Sequence, residues 1–441
     1  MRSAFRCAPL LAALAFAPAL AGAENRIDTI RADAPELAAY GTHAVGVRRL
    51  DLVHEDQIDI AAVEDITTPP DAQPRADRPL PVEIWYPAAP GAEGSTTLRA
   101  FIRDGKTEVG LEGRAVFDAA PETGTAFPLV IVSHGYPGNR FLMAPLAESL
   151  ASKGYVVAAI DHTDTTYSTL RSFPSALANR SRDQLFVLDE LARMAAEPGS
   201  FLHGLADPDQ SAIIGYSMGG YGALVSAGAG LTEAAVTARE GMWSAPAGSL
   251  DLFRAGSEAY AAHLDPRVKT VIAFAPAGYS VGFFDNETLA GIRIPVLFIG
   301  GSRDDVVGYE GGVRATWEAA VNSDRALLTF ENANHNVGAP MAPPEEARRY
   351  DEALGFNMAL HYMDFVWDNV RMNNVSAHFA AAWLGKYLKG DSGMDAYLDL
   401  VPDSADGVRP KDGSGADTYW TGFPDRSAQG LRFETLAAAA R

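Results

Sequence analysis

In this chain of 441 residues, Ile213-Ile214-Gly215-Tyr216-Ser217-Met218-Gly219-Gly220 sets a serine between two glycines, after an apolar strand pattern and before a helix pattern. Glycines two positions to either side let a strand turn sharply into a helix without side-chain clash, which presents the hydroxyl above a helix N-terminus. That geometry suits a nucleophile. A serine hydroxyl is weak at neutral pH, so a base must take its proton and an acid must orient the base. On such an elbow the partners follow in the order acid, then histidine. Asp304 lies in Gly301-Ser302-Arg303-Asp304-Asp305-Val306-Val307, just past an apolar run, with Asp305 as its competitor. His335 lies in Asn332-Ala333-Asn334-His335-Asn336, directly after the next apolar run.

Attack on a carbonyl also needs donors for the developing oxyanion. The backbone N–H of Met218 opens the helix after the serine. A second donor, the N–H of Tyr136, is expected from the loop His134-Gly135-Tyr136-Pro137-Gly138. His134 precedes the nucleophile and reads as a structural turn residue, since His335 already fills the base position. Asp161-His162-Thr163-Asp164 looks superficially like a metal cluster, but the spacing supplies no further ligands, and hydrogen-bonded loop residues are the better reading. His361 and His378 lie in helix-like segments and read as packed or surface histidines. The sequence holds no Walker A loop, no H-E-x-x-H and no G-x-G-x-x-G in its required context. No metal and no cofactor are therefore expected.

Positioning these groups calls for a mostly parallel sheet. Short β-branched runs at 128–133, 155–160, 211–216, 269–275, 294–300 and 326–331 alternate with helix patterns at 141–153, 177–196, 217–227, 309–322 and 375–389. That alternation predicts a doubly wound α/β core. Residues 44–53 and 80–86 alternate like antiparallel lead-in strands, with 61–78 as a loop between them. Two long pieces, 232–265 and 339–374, interrupt the pattern and are expected to act as lid-like insertions. Their aromatics, Trp243, Phe253 and Tyr260 in the first and Tyr350, Phe356, Tyr362, Phe365 and Trp367 in the second, either pack the insertions down or contact substrate.

Residues 1–23 carry Arg2 and Arg6, an apolar stretch and a terminal Ala21-Gly22-Ala23, the pattern of a cleaved secretory signal. The organisation expected is this leader, a lead-in over 24–127, a catalytic core over 128–389 and a tail over 390–441 that docks back. Export to the periplasm or medium follows from the leader. Cys7, the only cysteine, lies inside it, so stability must come from core burial and not from a disulfide. Thirty-six basic against 56 acidic residues give a net charge of −20, which argues against nucleic acid or an anionic membrane as partner. No stretch after the leader is apolar enough for a membrane span.

The runs Ser133-His134-Gly135-Tyr136-Pro137-Gly138-Asn139-Arg140 and Leu150-Ala151-Ser152-Lys153-Gly154-Tyr155-Val156-Val157-Ala158, together with the serine motif, resemble the α/β-hydrolase superfamily. Within it they look like secreted bacterial dienelactone-hydrolase-like proteins, akin to platelet-activating-factor acetylhydrolases and cutinase-type polyester hydrolases. Val82-Glu83-Ile84-Trp85-Tyr86-Pro87 is similar to the same group's N-terminal strand. The resemblance implies a cofactor-free carboxylic-ester hydrolase with a Ser217, Asp304 and His335 triad and a small-molecule ester as substrate. It also implies that Tyr136, Tyr216 and Tyr279 line the acyl pocket. True dienelactone hydrolases carry a cysteine nucleophile; here serine stands at that position. An amidase or peptidase, a polyester hydrolase and a non-catalytic binding protein are the alternatives.

Overall fold

The computed structural model describes residues 25–410 and 415–439, so the expected leader over 1–23 lies outside the described residues. The chain opens with strands β1 (Ala44–Ile58) and β2 (Arg75–Ala88), a hairpin of β3 (Thr97–Phe101) and β4 (Glu108–Glu112), and the short β5 (Val116–Phe117). Crossover units follow as β6 (Phe127–Ser133), α1 (Ala144–Ala151), β7 (Val156–Ile160), α2 (Phe173–Ala196), β8 (Ala206–Tyr216) and α3 (Met218–Ala227). After α4 (Glu233–Thr237) and α5 (Glu258–His263) come β9 (Val268–Phe274), α6 (Asn286–Leu289), β10 (Val296–Gly301), α7 (Ala315–Ala319) and β11 (Arg325–Phe330). A two-stranded ribbon of β12 (Tyr350–Asp351) and β13 (Phe356–Asn357), the long α8 (Asn369–Lys389) and β14 (Leu431–Leu436) complete the chain.

The principal sheet has ten strands in the order β14-β11-β10-β9-β8-β6-β7-β2-β1-β5. From β11 to β7 all neighbours are parallel, while β2 meets β7, and β1 meets β2, antiparallel. Every residue of β7, β10 and β11 is buried. A strand covered on both faces can be apolar throughout, which is why these read as continuous runs in the sequence. The sheet and its covering helices enclose one large core.

Several boundaries differ from expectation, each for a physical reason. The presumed loop over 61–78 is partly strand, because β2 begins at Arg75 and its charged start pairs with the outer end of β1 beyond a register shift between His54 and Gln57. Residues 75–77 are exposed and the buried Arg78 is held in an ion pair with Asp183, so the stretch carries no apolar alternation. The helix expected over 309–322 splits into a π-helical segment, Tyr309–Arg314, and the short α7. Gly312 permits the tight approach there, since a Cβ would run into the carbonyl of Val307. The closing helix starts at Asn369, earlier than 375, capped by the Asp368 side chain accepting from Arg371 N–H. Within its first two turns Asn374 is buried and ties down the N-terminal segment, accepting from Arg31 N–H at 2.9 Å and donating to Thr29 O at 3.1 Å. In the C-terminal segment β14 pairs antiparallel with β11, and Trp420 is fully buried.

Candidate active site

β8 ends at Tyr216 and α3 starts at Met218, leaving Ser217 alone at the turn with φ 54° and ψ −114°. A non-glycine residue held there is strained and persists only where its surroundings over-determine it. They do so here. Ser217 N–H donates to Phe274 O on β9 and Ser217 O accepts from Tyr221 N–H, both at 2.9 Å. The flanking glycines serve close approach: a Cβ at Gly215 would run into Gly219 O, and one at Gly219 into Ser133 O.

Asp304 and His335 follow β10 and β11, two adjacent parallel strands, so their loops emerge side by side at the carboxyl end of the sheet. His335 Nε2 lies 3.0 Å from Ser217 Oγ, and Nδ1 lies 2.8 Å from Asp304 Oδ2. All three side chains are buried. The Asp304 carboxyl faces opposing influences. Burial, the largest, opposes its charge, but the hydrogen bond and attraction of His335 and the N–H donors of Val307 and Val306 outweigh it and hold its pKa below the usual carboxylate range. Oδ1 accepts from both N–H groups at 2.9 Å, leaving Oδ2 free to orient the imidazole. Asp305, the competitor, is exposed at the rim of the cavity over Ser217 and makes no hydrogen bond to His335.

The two aspartates therefore separate experimentally. Asp304→Asn is expected to lower kcat on p-nitrophenyl acetate by roughly 10³ to 10⁴, because an amide favours the wrong imidazole tautomer. Asp305→Asn should stay within about twofold. The reverse order in steady-state assays would move the acid to Asp305.

Beside the serine, Met218 is the first residue of α3, so its N–H has no intrahelical acceptor. The N–H of Tyr136 likewise has no acceptor among the described residues. The loop before it is firmly tied. His134 is buried; its Nε2 accepts from His162 N–H at 3.2 Å, which leaves Nδ1–H to donate to Gly135 O at 2.7 Å. His134 thus occupies the turn, as read from the sequence, and makes no hydrogen bond to Ser217. The Asp161–Asp164 segment is a hydrogen-bonded anchor: His162 bridges Ser133 Oγ and Asp183 Oδ2, each at 2.8 Å, Asp164 pairs with Arg78, and Asp161 pairs with Arg140. No group of three or more His, Cys, Asp or Glu among the described residues is arranged to hold a metal ion.

A cavity of about 400 Å³ opens over Ser217. Tyr136 and Tyr216 line it together with Val306, Asn336, Phe356, Leu360, His361 and Phe365. Tyr216 is fixed by its hydroxyl donating to Asn336 Oδ1 at 3.0 Å, and burial pushes its phenol pKa up. Tyr279 is not brought to this cavity. It begins a 3₁₀ turn, and its hydroxyl donates to Asn286 Oδ1 at 2.8 Å. His361, read as an ordinary packed or surface histidine, forms part of the wall, its Nε2 2.9 Å from the Tyr167 hydroxyl.

The two insertions divide their tasks. Phe253 and Tyr260 of the first are buried, and Trp243 packs edge-on against Phe173, which in turn meets Tyr136 at a centroid distance of 4.9 Å. The second supplies Phe356, Leu360, His361 and Phe365 to the cavity, while Tyr362 and Trp367 pack inward. Its cluster of aromatics was the signal; which rings turn to the site depends on the β12–β13 ribbon and the turn after it. Sequence reasoning also missed the polar face of α2, where Asn179, Arg180, Asp183 and Gln184 are all buried.

A family profile described as PET hydrolase-like matches residues 99–245, a span that holds the Tyr136 loop and Ser217 but not Asp304 or His335. A platelet-activating factor acetylhydrolase from Cavia porcellus is 30% identical over 129 residues, which are 28% of this chain and 30% of that protein. Cutinase est1 from Thermobifida alba is 26% identical over 216 residues, 49% of this chain and 55% of the cutinase. The chain thus spans less than two thirds of either relative. A solved ferulic acid esterase structure from Streptomyces cinnamoneus superposes with a TM-score of 0.54 at 24% identity, covering 84% of this chain and 97% of that one. Sheet order and the solved likeness agree on the architecture, and the chain has the α/β-hydrolase fold.

Proposed function

We propose that the chain is an exported serine esterase that cleaves a small or lipid-like carboxylic ester through Ser217, His335 and Asp304. His335 Nε2 takes the Ser217 proton as Oγ attacks the ester carbonyl, and Asp304 holds the imidazole in the tautomer that allows it. The N–H groups of Tyr136 and Met218 receive the oxyanion. The protonated His335 gives its proton to the departing alcohol, and a water then repeats the attack on the acyl-enzyme. The relay of 3.0 and 2.8 Å from Ser217 through His335 to Asp304 is the observation that carries this reading. The likeness to proteins named cutinase and platelet-activating factor acetylhydrolase supports an ester substrate. Export rests on the composition of residues 1–23 and is tested by where the mature N-terminus falls.

Parallel assays on p-nitrophenyl esters and the matching p-nitroanilides test the reaction class. Ester turnover with anilides at background supports the reading, and preferential anilide cleavage would replace it with an amidase.

The cavity also bears on substrate size. Phe365 is 71% exposed and Val306 68% exposed at its mouth, so both have apolar surface for a substrate chain to cover. Covering one such ring is worth roughly 1 to 2 kcal/mol. Phe365→Ala is therefore expected to raise KM for an octanoate ester about five- to twentyfold while leaving that for the acetate within twofold. Equal effects on both esters would show that Phe365 does not contact the acyl chain.

A further inference from the structure

Arg180 lies on α2 and is fully buried, yet the triad chemistry above does not use it. Its one hydrogen bond among the described residues runs from Nη2 to Gly135 O at 3.0 Å, while Nε and Nη1 find no partner there. Asp183, one turn along α2, does not neutralise it by direct contact. That carboxylate is taken by Arg78 Nε and Nη2, each at 2.8 Å, and by His162 Nδ1. Burial lowers the Arg180 pKa to about 9, so the guanidinium is still charged at neutral pH. An unpaired buried cation is costly, and a packing role alone would be met more cheaply by an apolar side chain.

What Arg180 touches gives the reason for keeping it. Gly135 O belongs to the Gly135–Tyr136 peptide, whose N–H is the one assigned to the oxyanion. That peptide is trans, so its C=O and N–H point in opposite directions and fixing one fixes the other. Two donors converge on the carbonyl from behind: Arg180 Nη2–H at 3.0 Å and His134 Nδ1–H at 2.7 Å. Withdrawing electron density at the oxygen makes the N–H a stronger donor, and hydrogen bonds in series polarise one another. Gly138 makes room for the His134 ring, since a Cβ there would run into it. Gly222 likewise makes room for the Arg180 stem.

We propose that Arg180, with His134, clamps and polarises the Gly135–Tyr136 peptide, so that the Tyr136 N–H is aimed at the oxyanion before substrate arrives. Arg180 is thus a positioning residue for transition-state stabilisation. The proposal rests on the esterase reading of the same site.

The test compares wild type, Arg180→Met and Arg180→Lys, each as the full chain. Three quantities are read: kcat and KM on p-nitrophenyl butyrate, inhibition by an alkylboronic acid that adds to Ser217 as a tetrahedral anion, and thermal midpoint. In Arg180→Met, kcat is expected to fall 10²- to 10³-fold, the range for loss of one oxyanion donor, with KM within about threefold. The boronate Ki should rise by a similar factor, because it mimics the transition state and not the substrate. Arg180→Lys keeps the charge but not the reach of the guanidinium, and should lose about tenfold on the same two readouts. A merely structural role would lower the thermal midpoint while leaving kcat per folded molecule and the boronate Ki unchanged, which would overturn the proposal. If Arg180→Met does not fold, Arg180→Lys carries the test, and wild-type kcat and Ki in folded Arg180→Lys overturn it equally. Failure of wild type to turn over any ester defeats the esterase reading, whereas an active wild type with unaffected folded variants defeats the clamp alone.

Discussion

Ser217→Ala is expected to lower turnover of short p-nitrophenyl esters by about 10⁴- to 10⁶-fold, with KM and thermal midpoint nearly unchanged. Removing Oγ takes away the only atom that can form the acyl-enzyme, and the imidazole is left with no proton to accept. The Tyr136 and Met218 N–H groups remain, so a small excess over the uncatalysed rate should persist. The fold should tolerate the change because the serine's main chain, not its side chain, holds the turn, through its bonds to Phe274 and Tyr221. Alanine still has to adopt φ near 54°, a strain that serine already bears. A variant that kept more than about a tenth of wild-type turnover would place the nucleophile elsewhere.

The second large effect is on stability in acid. His134, His162 and His378 are each at most 2% exposed. Burial is the first cause that lowers their pKa values: to about 3 for His162, where Arg180 adds to it, to about 3 for His378, where Lys153 adds to it, and well below 6.5 for His134. Between those values and the ordinary histidine pKa the unfolded chain binds protons that the native chain refuses. Stability is therefore complete above about pH 6.5 and is lost as pH falls, by roughly 1.4 kcal/mol per pH unit for each histidine. His162 and His378 together amount to about 3 kcal/mol per unit, with His134 acting in the same direction, enough to exhaust a stability of about 5 to 15 kcal/mol between roughly pH 5 and 3. Glu83 and Glu148, both raised chiefly by burial, act in the opposite direction, but only where they titrate, above the usual glutamate range. Urea denaturation midpoints at pH 7.5, 6.5, 5.5 and 4.5 check this. A fall that steepens below pH 6.5 is expected; a flat series from 7.5 to 4.5 would mean the buried histidines are protonated in the native state.

Much of the site was legible because its strands are buried on both faces. β6, β7 and β10 read as apolar runs and β11 as one interrupted by Thr329, and residues just past such runs fall at one edge of a parallel sheet. Ser217, Asp304 and His335 were found by that rule and are hydrogen-bonded in series. The rule does not reach side chains whose direction is set by tertiary packing. Tyr279 stands after β9 as expected, but the turn it enters sends its hydroxyl to Asn286. Phe356 and Phe365 reach the cavity through a ribbon of two-residue strands, too short for any periodicity. β14 is an edge strand of six residues of which only Leu431 and Phe433 are buried, and the exposed charges at the start of β2 hid its pairing with β1. On α2 the polar face would ordinarily be taken as solvated, yet it is buried against the Tyr136 loop and α3, which is why Arg180 escaped notice.

The central claim is that Ser217 is an activated nucleophile, and labelling by a fluorophosphonate tests it most directly. Incubation of the full chain with the probe, followed by intact mass measurement and peptide mapping, should show one adduct, carried by the peptide that contains Ser217. Labelling should disappear in Ser217→Ala and slow by orders of magnitude in His335→Ala, because the probe reacts only with a deprotonated, oriented hydroxyl. A wild-type chain that takes up no probe, or a Ser217→Ala chain that still does, would contradict the account.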